Sequence, residues 1–351
     1  MERAELKGKI QTVLGLIDPE ELGITLPHEH LVSDGSCWFV EPASATEKAM
    51  AHHPVTLDLL WWVRYHLFQN LDDMLLLDEE EAVREAMDFK REGGRSIVEM
   101  SNLGLGRDPE ALARISRATS LNVIMGSGYY LAVSHPPDMD DKSEQQITDE
   151  IVEDVMEGAR TGGIRAGLIG EIGCSWPLAD NERKSLRAAA RAQKLTGAHL
   201  NVHPGQHEEA ARQIIAILEE VGADLSRTTI DHIDRAVREP KNRLELARSG
   251  CYLEYDLFGR EGYYPMKHRV IDLPNDHQRI NEIMELMDAG HLNRILISQD
   301  IWNKIQRRTY GGWGYGHLLR NTVPVMRAKG VSDEEIRTIM VENPKRAFTF
   351  I

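Results

Sequence analysis

Short β-rich runs alternate with amphipathic helical stretches along most of this chain. Runs at residues 23–28, 96–100, 122–126, 165–173, 199–203, 228–232, 251–256 and 294–300 read as strands. Between them, residues 78–91, 109–118, 148–161, 181–195, 208–221, 243–247 and 276–289 read as helices. Most of these helices stop at a glycine, such as Gly197, Gly222, Gly250 or Gly290. Repeated βα units imply a parallel sheet, and eight of them imply closure into a (β/α)8 TIM barrel. A doubly wound open sheet with a second domain is the alternative. Helices at 316–329 and 332–342 end the chain, and with no linker or low-complexity segment residues 1–351 read as one domain.

Two departures from the repeat stand out. Residues 10–26 form two short extended pieces around the turn-like Asp18-Pro19-Glu20-Glu21, so an N-terminal β-hairpin is expected to lead into the first strand. After that strand comes a long insertion. Its residues 54–77 are apolar at mixed helical spacing and predict a helix over the barrel mouth. Carrying Trp61 and Trp62, it reads alternatively as a lid or a subunit interface.

Composition narrows the classes. At 351 residues, with 42% hydrophobic and 28% charged positions, the chain is globular and fits either two ordinary domains or one large barrel. Lys+Arg 41 against Asp+Glu 56 leaves a net charge of −15, which argues against nucleic acid or an anionic membrane as partner. Cys37, Cys174 and Cys251 are scattered and without CxxC spacing, as in a reducing compartment. The N-terminus has no apolar h-region and no stretch is long and apolar enough to span a membrane, so a cytoplasmic location is expected.

The chemistry lies at strand ends. In Leu26-Pro27-His28-Glu29-His30 the alternation of a strand points both imidazoles to one face. Active sites of such barrels lie at the C-terminal ends of the strands. Those ends carry His28 and His30 on the first strand, Glu171 on the fourth, His203 on the fifth, His232 on the sixth and Asp300 on the eighth. Four imidazoles and two carboxylates supply three or four ligands for each of two divalent ions, with one carboxylate shared. Zinc is the first expectation, with manganese, cobalt or iron as alternatives.

Five runs, TLPHEHL, AGLIGEIG, NVHPG, TIDHID and LISQD, together resemble the phosphotriesterase family of the amidohydrolase superfamily. The resemblance covers essentially the whole chain. It is nearest to the phosphotriesterase-related (resiniferatoxin-binding) branch through GLIGEIGCSWPL, CYLEYDLFG and GGWGYGH. It implies that His28, His30 and Asp300 hold a more buried ion and that His203 and His232 hold a more exposed one. The family's usual bridge is a carboxylated lysine, but residues 164–177 contain no lysine. Glu171 is the carboxylate there, supplying two oxygens on a shorter arm. The resemblance also implies a homodimer.

A binuclear hydrolase acting on a small ester, lactone or N-acyl amide follows, with phosphotriester cleavage as a side activity. Bound divalent ions lower the pKa of water from about 15.7 to roughly 7. Asp300 is the expected proton acceptor, and Asp234 a relay or an imidazole-orienting group, or else a loop or helix-cap aspartate. Tyr130 resembles the tyrosine that lactonases of this family aim at the metal-bound oxygen, and packing is its other reading. Arg235 could grip a substrate carboxylate or sulfonate, or form a surface salt bridge. Trp176, Trp302, Trp313, Tyr263 and Tyr264 are expected around the pocket, His199 on the barrel floor and Cys174 as buried filler. The other function classes are a catalytically silent binder and a mononuclear deaminase using His28, His30, His203 and Asp300.

Overall fold

Eight parallel strands follow one another in chain order: β1 (Thr25–Glu29), β2 (Ser96–Glu99), β3 (Asn122–Met125), β4 (Leu168–Gly173), β5 (His199–His203), β6 (Thr228–Ile230), β7 (Tyr252–Tyr255) and β8 (Ile295–Ile297). The computed structural model describes residues 3–159, 163–266 and 269–351, the side chains of 263–270 excepted. Strands β1 to β3 pair in one arc and β4 to β8 in another. Two seams close the ring. Gly167 N donates to Met125 O at 2.9 Å between β3 and β4, and Asp300 N donates to His28 O at 3.3 Å where the end of β8 meets β1. The result is the (β/α)8 TIM barrel that the βα repeat predicts.

Helices cover the outside because each strand buries both of its faces. Glu79–Arg91 shows how sequence sets one of them. Asp78 caps it by accepting from Glu81 N at 3.0 Å, acidic residues fill its first turn, and Lys90 and Arg91 fill its last. Inside the barrel, Val98, Ile124, Leu168, Tyr252 and Leu296 meet Phe348 of the terminal helix Asn343–Phe348, which plugs the bottom. His199 is on this floor, with Nε2 2.7 Å from Thr229 Oγ1 and its ring edge-on to Tyr252 and Phe348.

Burial, aided by the nearby Arg227, holds the His199 imidazole well below its ordinary pKa, so the folded protein keeps it neutral. The unfolded chain takes up a proton near pH 6.5, the folded one only well below it. Stability from this residue is therefore complete above pH 6.5 and is lost as pH falls, by about 1.4 kcal/mol per unit for a single proton. Urea unfolding of His199→Gln against the parent between pH 5 and 7 should show the parent's steeper decline; parallel curves would contradict it.

Several expectations need correction. The N-terminal hairpin pairs Ile10–Thr12 with Gly15–Ile17, turning at residues 13 and 14, so both strands precede Asp18. The segment Asp18-Pro19-Glu20-Glu21 instead starts a helical turn, Pro19–Glu21, because proline suits a first helical position and Glu21 accepts from Asp18 N at 2.9 Å. Residues 54–77 form no long helix. They break into the turns Leu60–Val63 and Asp72–Met74 and the strand Leu75–Leu76, which pairs with Ser33–Asp34. Trp62 is buried there, whereas Trp61 is 66% exposed. The helix expected at 148–161 runs Glu144–Met156, started by the reciprocal Ser143–Gln146 cap, and residues 160–162 lie outside those described. Both C-terminal helices contain a wide π-type turn just before a proline, Leu318–Thr322 before Pro324 and Thr338–Glu342 before Pro344, where the missing N–H cannot continue an α-helical ladder. A hairpin after β7, Gly262–Met266 with Arg269–Leu273, was not anticipated. Among the described residues no helix is long and apolar enough to cross a membrane.

Candidate metal centre

Glu171 stands between two groups of donors at the mouth of the barrel. Its Oε1 is 3.7 Å from His30 Nε2 and 4.0 Å from His28 Nε2, and Asp300 Oδ1 is 3.3 and 3.7 Å from the same two nitrogens. Its Oε2 is 2.7 Å from His203 Nδ1 and 3.7 Å from His232 Nε2, and those two nitrogens are 2.9 Å apart. All six residues are buried, and five strands deliver them. Donors about 2.0–2.1 Å from a tetrahedral ion stand roughly 3.3–3.5 Å from one another. The first group approaches that spacing, and the second is slightly tighter.

The outward ring nitrogens of His28, His30 and His232 are turned to oxygens. His30 Nδ1 is 2.9 Å from Ser101 Oγ, and His232 Nδ1 donates to Asp256 Oδ1 at 2.7 Å. His28 Nδ1 faces Asp231, Glu254 and Asp256 at 3.5–3.6 Å. The inward nitrogens of these three rings thereby offer their lone pairs to the centre. His28 Nε2 is fully buried with no hydrogen-bond partner, an unmet polar atom aimed at Glu171 and Asp300.

Electrostatics agree with a cation-seeking centre. Burial works against charge on His28 and His30, but the carboxylates around them overcome it and raise both pKa values. Burial likewise works to raise Glu171 and Asp300, and the imidazoles pull both well below the carboxylate range. Burial holds His203 at about 3 and His232 at about 4, so both rings stay neutral and able to bind a cation. His232 and Asp300 also share a backbone oddity: at φ +51° and +47° they are left-handed without being glycine, conformations that persist only where the surroundings enforce them.

Beside the donors is a narrow cleft. Trp38, Leu105, Tyr130, Trp302 and Arg235 line it. Tyr130 stands edge-on to His203 at 5.0 Å. Arg235 is buried, with Nη2 3.2 Å from His203 Nε2, and so is no surface salt bridge. Asp234 Oδ2 accepts from Arg279 Nε at 2.7 Å and from Leu257 N at 3.2 Å, and among the described residues Asp234 has no hydrogen bond to an imidazole. Asp256 makes that contact instead. Trp176 stacks on His207 at 4.3 Å and Trp313 packs against Gly259, so neither lines the cleft. The side chains of Tyr263 and Tyr264 lie outside the described residues. Cys174 is fully buried, its thiol pushed well above the usual range.

Sequence reasoning passed over Asp231, Glu254 and Asp256, whose acids lie buried behind His28. A signal existed in Tyr252-Leu253-Glu254-Tyr255-Asp256, where carboxylates recur two residues apart in a barrel strand. Trp38 and Leu105 come from loops, whose positions no periodicity gives. Replacing Asp256 by alanine should weaken metal binding about 10–100-fold, the usual cost of losing an outer partner of a ligating histidine. Competition against a chromophoric chelator measures this, and unchanged affinity would show that His232 needs no such partner.

The profile of the phosphotriesterase family matches residues 8–348. The chain belongs to the phosphotriesterase family. Within it, the N-acetyltaurine hydrolase of Bos taurus is 42% identical over 348 residues, and that of Homo sapiens is 40% identical, each alignment covering 99% of both chains. A resiniferatoxin-binding protein from Rhodobacter sphaeroides superposes with a TM-score of 0.94 at 38% identity, covering 99% of this chain and 98% of that one. As a phosphotriesterase-family member the protein is a metal-dependent hydrolase, and its His/Asp/Glu cluster could hold the divalent metal that the family uses.

Proposed function

We propose that the protein hydrolyses N-acyl amides whose amine half ends in an anion, an amino sulfonate or amino acid, at a pair of divalent ions. Arg235 carries this reading: a guanidinium buried in the cleft beside His203 is suited to a tetrahedral or planar oxyanion. The name shared by the 40–42% identical relatives, N-acetyltaurine hydrolase, supports it independently.

In this reading His28, His30 and Asp300 would hold one ion and His203 and His232 the other, with Glu171 standing between the two groups. Nitrogen and oxygen donors of this kind favour zinc, with manganese, cobalt or iron as alternatives. The ions when bound acidify water and polarise the acyl oxygen. Asp300 accepts the proton of the attacking water on its carboxylate and passes it to the leaving nitrogen as the C–N bond breaks, giving a carboxylate and a free amine. Arg235 stands beside His203 Nε2 on the cleft wall, where its guanidinium would meet the substrate's anion. Asp234 is a positioning residue, anchoring through Arg279 and Leu257 the turn that carries His232 and Arg235.

The test is metal analysis followed by turnover of N-acetyltaurine, N-acetyl amino acids, γ-lactones and an aryl phosphotriester. Two ions per chain and a preference of at least about 100-fold in kcat/KM for anionic amides over N-acetylethylamine are expected. Equal rates on charged and neutral amides would overturn the anionic assignment. One ion per chain would favour the mononuclear arrangement.

A further inference from the structure

Glu29 lies between the two histidines of the first strand, yet it takes no part in the donor set. Its carboxylate is fully buried and is turned to the chain around Asp300. Oε1 accepts from Ser298 Oγ at 2.8 Å and from Gln299 N at 3.0 Å, and Oε2 accepts from Ile301 N at 2.9 Å. These donors flank Asp300 on both sides. Ser298 Oγ in turn accepts from His28 N at 3.1 Å, so one carboxylate ties the aspartate's turn to the first histidine.

The backbone says why such a bracket is needed. Asp300 sits at φ +47°, a left-handed conformation that a residue with a Cβ keeps only where its surroundings enforce it. His232, the other left-handed candidate ligand, is bracketed in the same manner. Asp256 accepts from its N at 3.0 Å and from its Nδ1 at 2.7 Å. Each half of the centre thus has one ligand in a strained conformation and one buried carboxylate holding it there.

We propose that Glu29 is a positioning residue that fixes Asp300 against His28 and His30, and so sets the cation affinity of that half of the centre alone. This rests on the proposed two-ion reading. Glu29→Gln tests it at nearly constant volume. An amide has one accepting oxygen, so at least one of the three donors loses its partner and meets an N–H instead.

Cobalt(II) titration of the metal-free protein, followed by visible absorption and chelator competition, provides the readout. Glu29→Gln should weaken one ion about 10–100-fold and leave the other within about twofold of the parent, with kcat falling and KM unchanged. If Glu29→Gln does not fold, Ser298→Ala removes one donor and should give a smaller loss confined to the same ion. Two ions bound at parental affinity, or both weakened alike as by general loosening, would overturn the assignment. A parent that binds two ions but cleaves no amide defeats the substrate reading while the titration still decides on Glu29. A parent that binds only one ion defeats the two-ion reading; Glu29 is then judged by whether Glu29→Gln weakens that ion.

Discussion

Asp300→Asn is expected to lower kcat for an N-acyl amide by about 10³-fold or more, and to lose most of the stabilisation that added metal gives the parent. Two losses combine in the activity. An amide is a poorer cation ligand than a carboxylate and cannot accept a proton from water, and displaced proton transfer alone is worth about 10²–10⁴. Stability moves as well. Burial works against the Asp300 carboxylate, but the neighbouring imidazoles hold it well below the carboxylate range. Removing its charge therefore weakens the metal-free fold, offset in part because asparagine tolerates a left-handed backbone such as φ +47°. Melting of the metal-free variant should be level with, or below, that of the parent, and added metal should raise it less than it raises the parent. A variant that turns over the amide as the parent does would take from Asp300 its place as proton acceptor.

The barrel was legible because two independent signals coincided. Glycines ended most of the helices, and β-rich runs began a few residues later. Nothing comparable marks the insertion, where residues 54–77 gather apolar side chains for two short turns and a strand rather than for one helix face. Helix starts were less readable than stops because a cap such as Ser143–Gln146 lies outside the apolar repeat that reveals the helix. The six candidate ligands could be gathered from sequence since each lies within two or three residues of the C-terminal end of its strand, from which short side chains reach a common point. Their supports were harder to see. Glu29, Glu99, Glu254 and Asp256 are acids in buried strands, and a strand pattern says only that such a residue needs a partner. It does not say that Glu29 finds three on the far side of a seam, or that Glu99 takes Leu31 N and Ser101 N beside His30. Arg235 was ambiguous for the same reason: charge on a loop is usually solvated, and only closure of the barrel buries it.

Arg235→Met should raise KM for N-acetyltaurine roughly 30–150-fold and change kcat/KM for a neutral lactone by less than about threefold. The first number follows from a charge-assisted hydrogen bond in a buried site, worth about 2–3 kcal/mol when its partner is an anion. The second follows because a lactone has no anion to lose. Methionine keeps much of the arginine stem, which preserves the packing around His203 and makes the comparison one of charge rather than volume. Arg235→Lys separates charge from shape. A point ammonium on a flexible arm keeps the attraction but loses the planar fork, so it should recover only part of the affinity. If the methionine variant slowed amide and lactone equally, Arg235 would be acting through His203 Nε2, 3.2 Å away, and so through the centre itself. The substrate's anion would then have to be held elsewhere on the cleft wall.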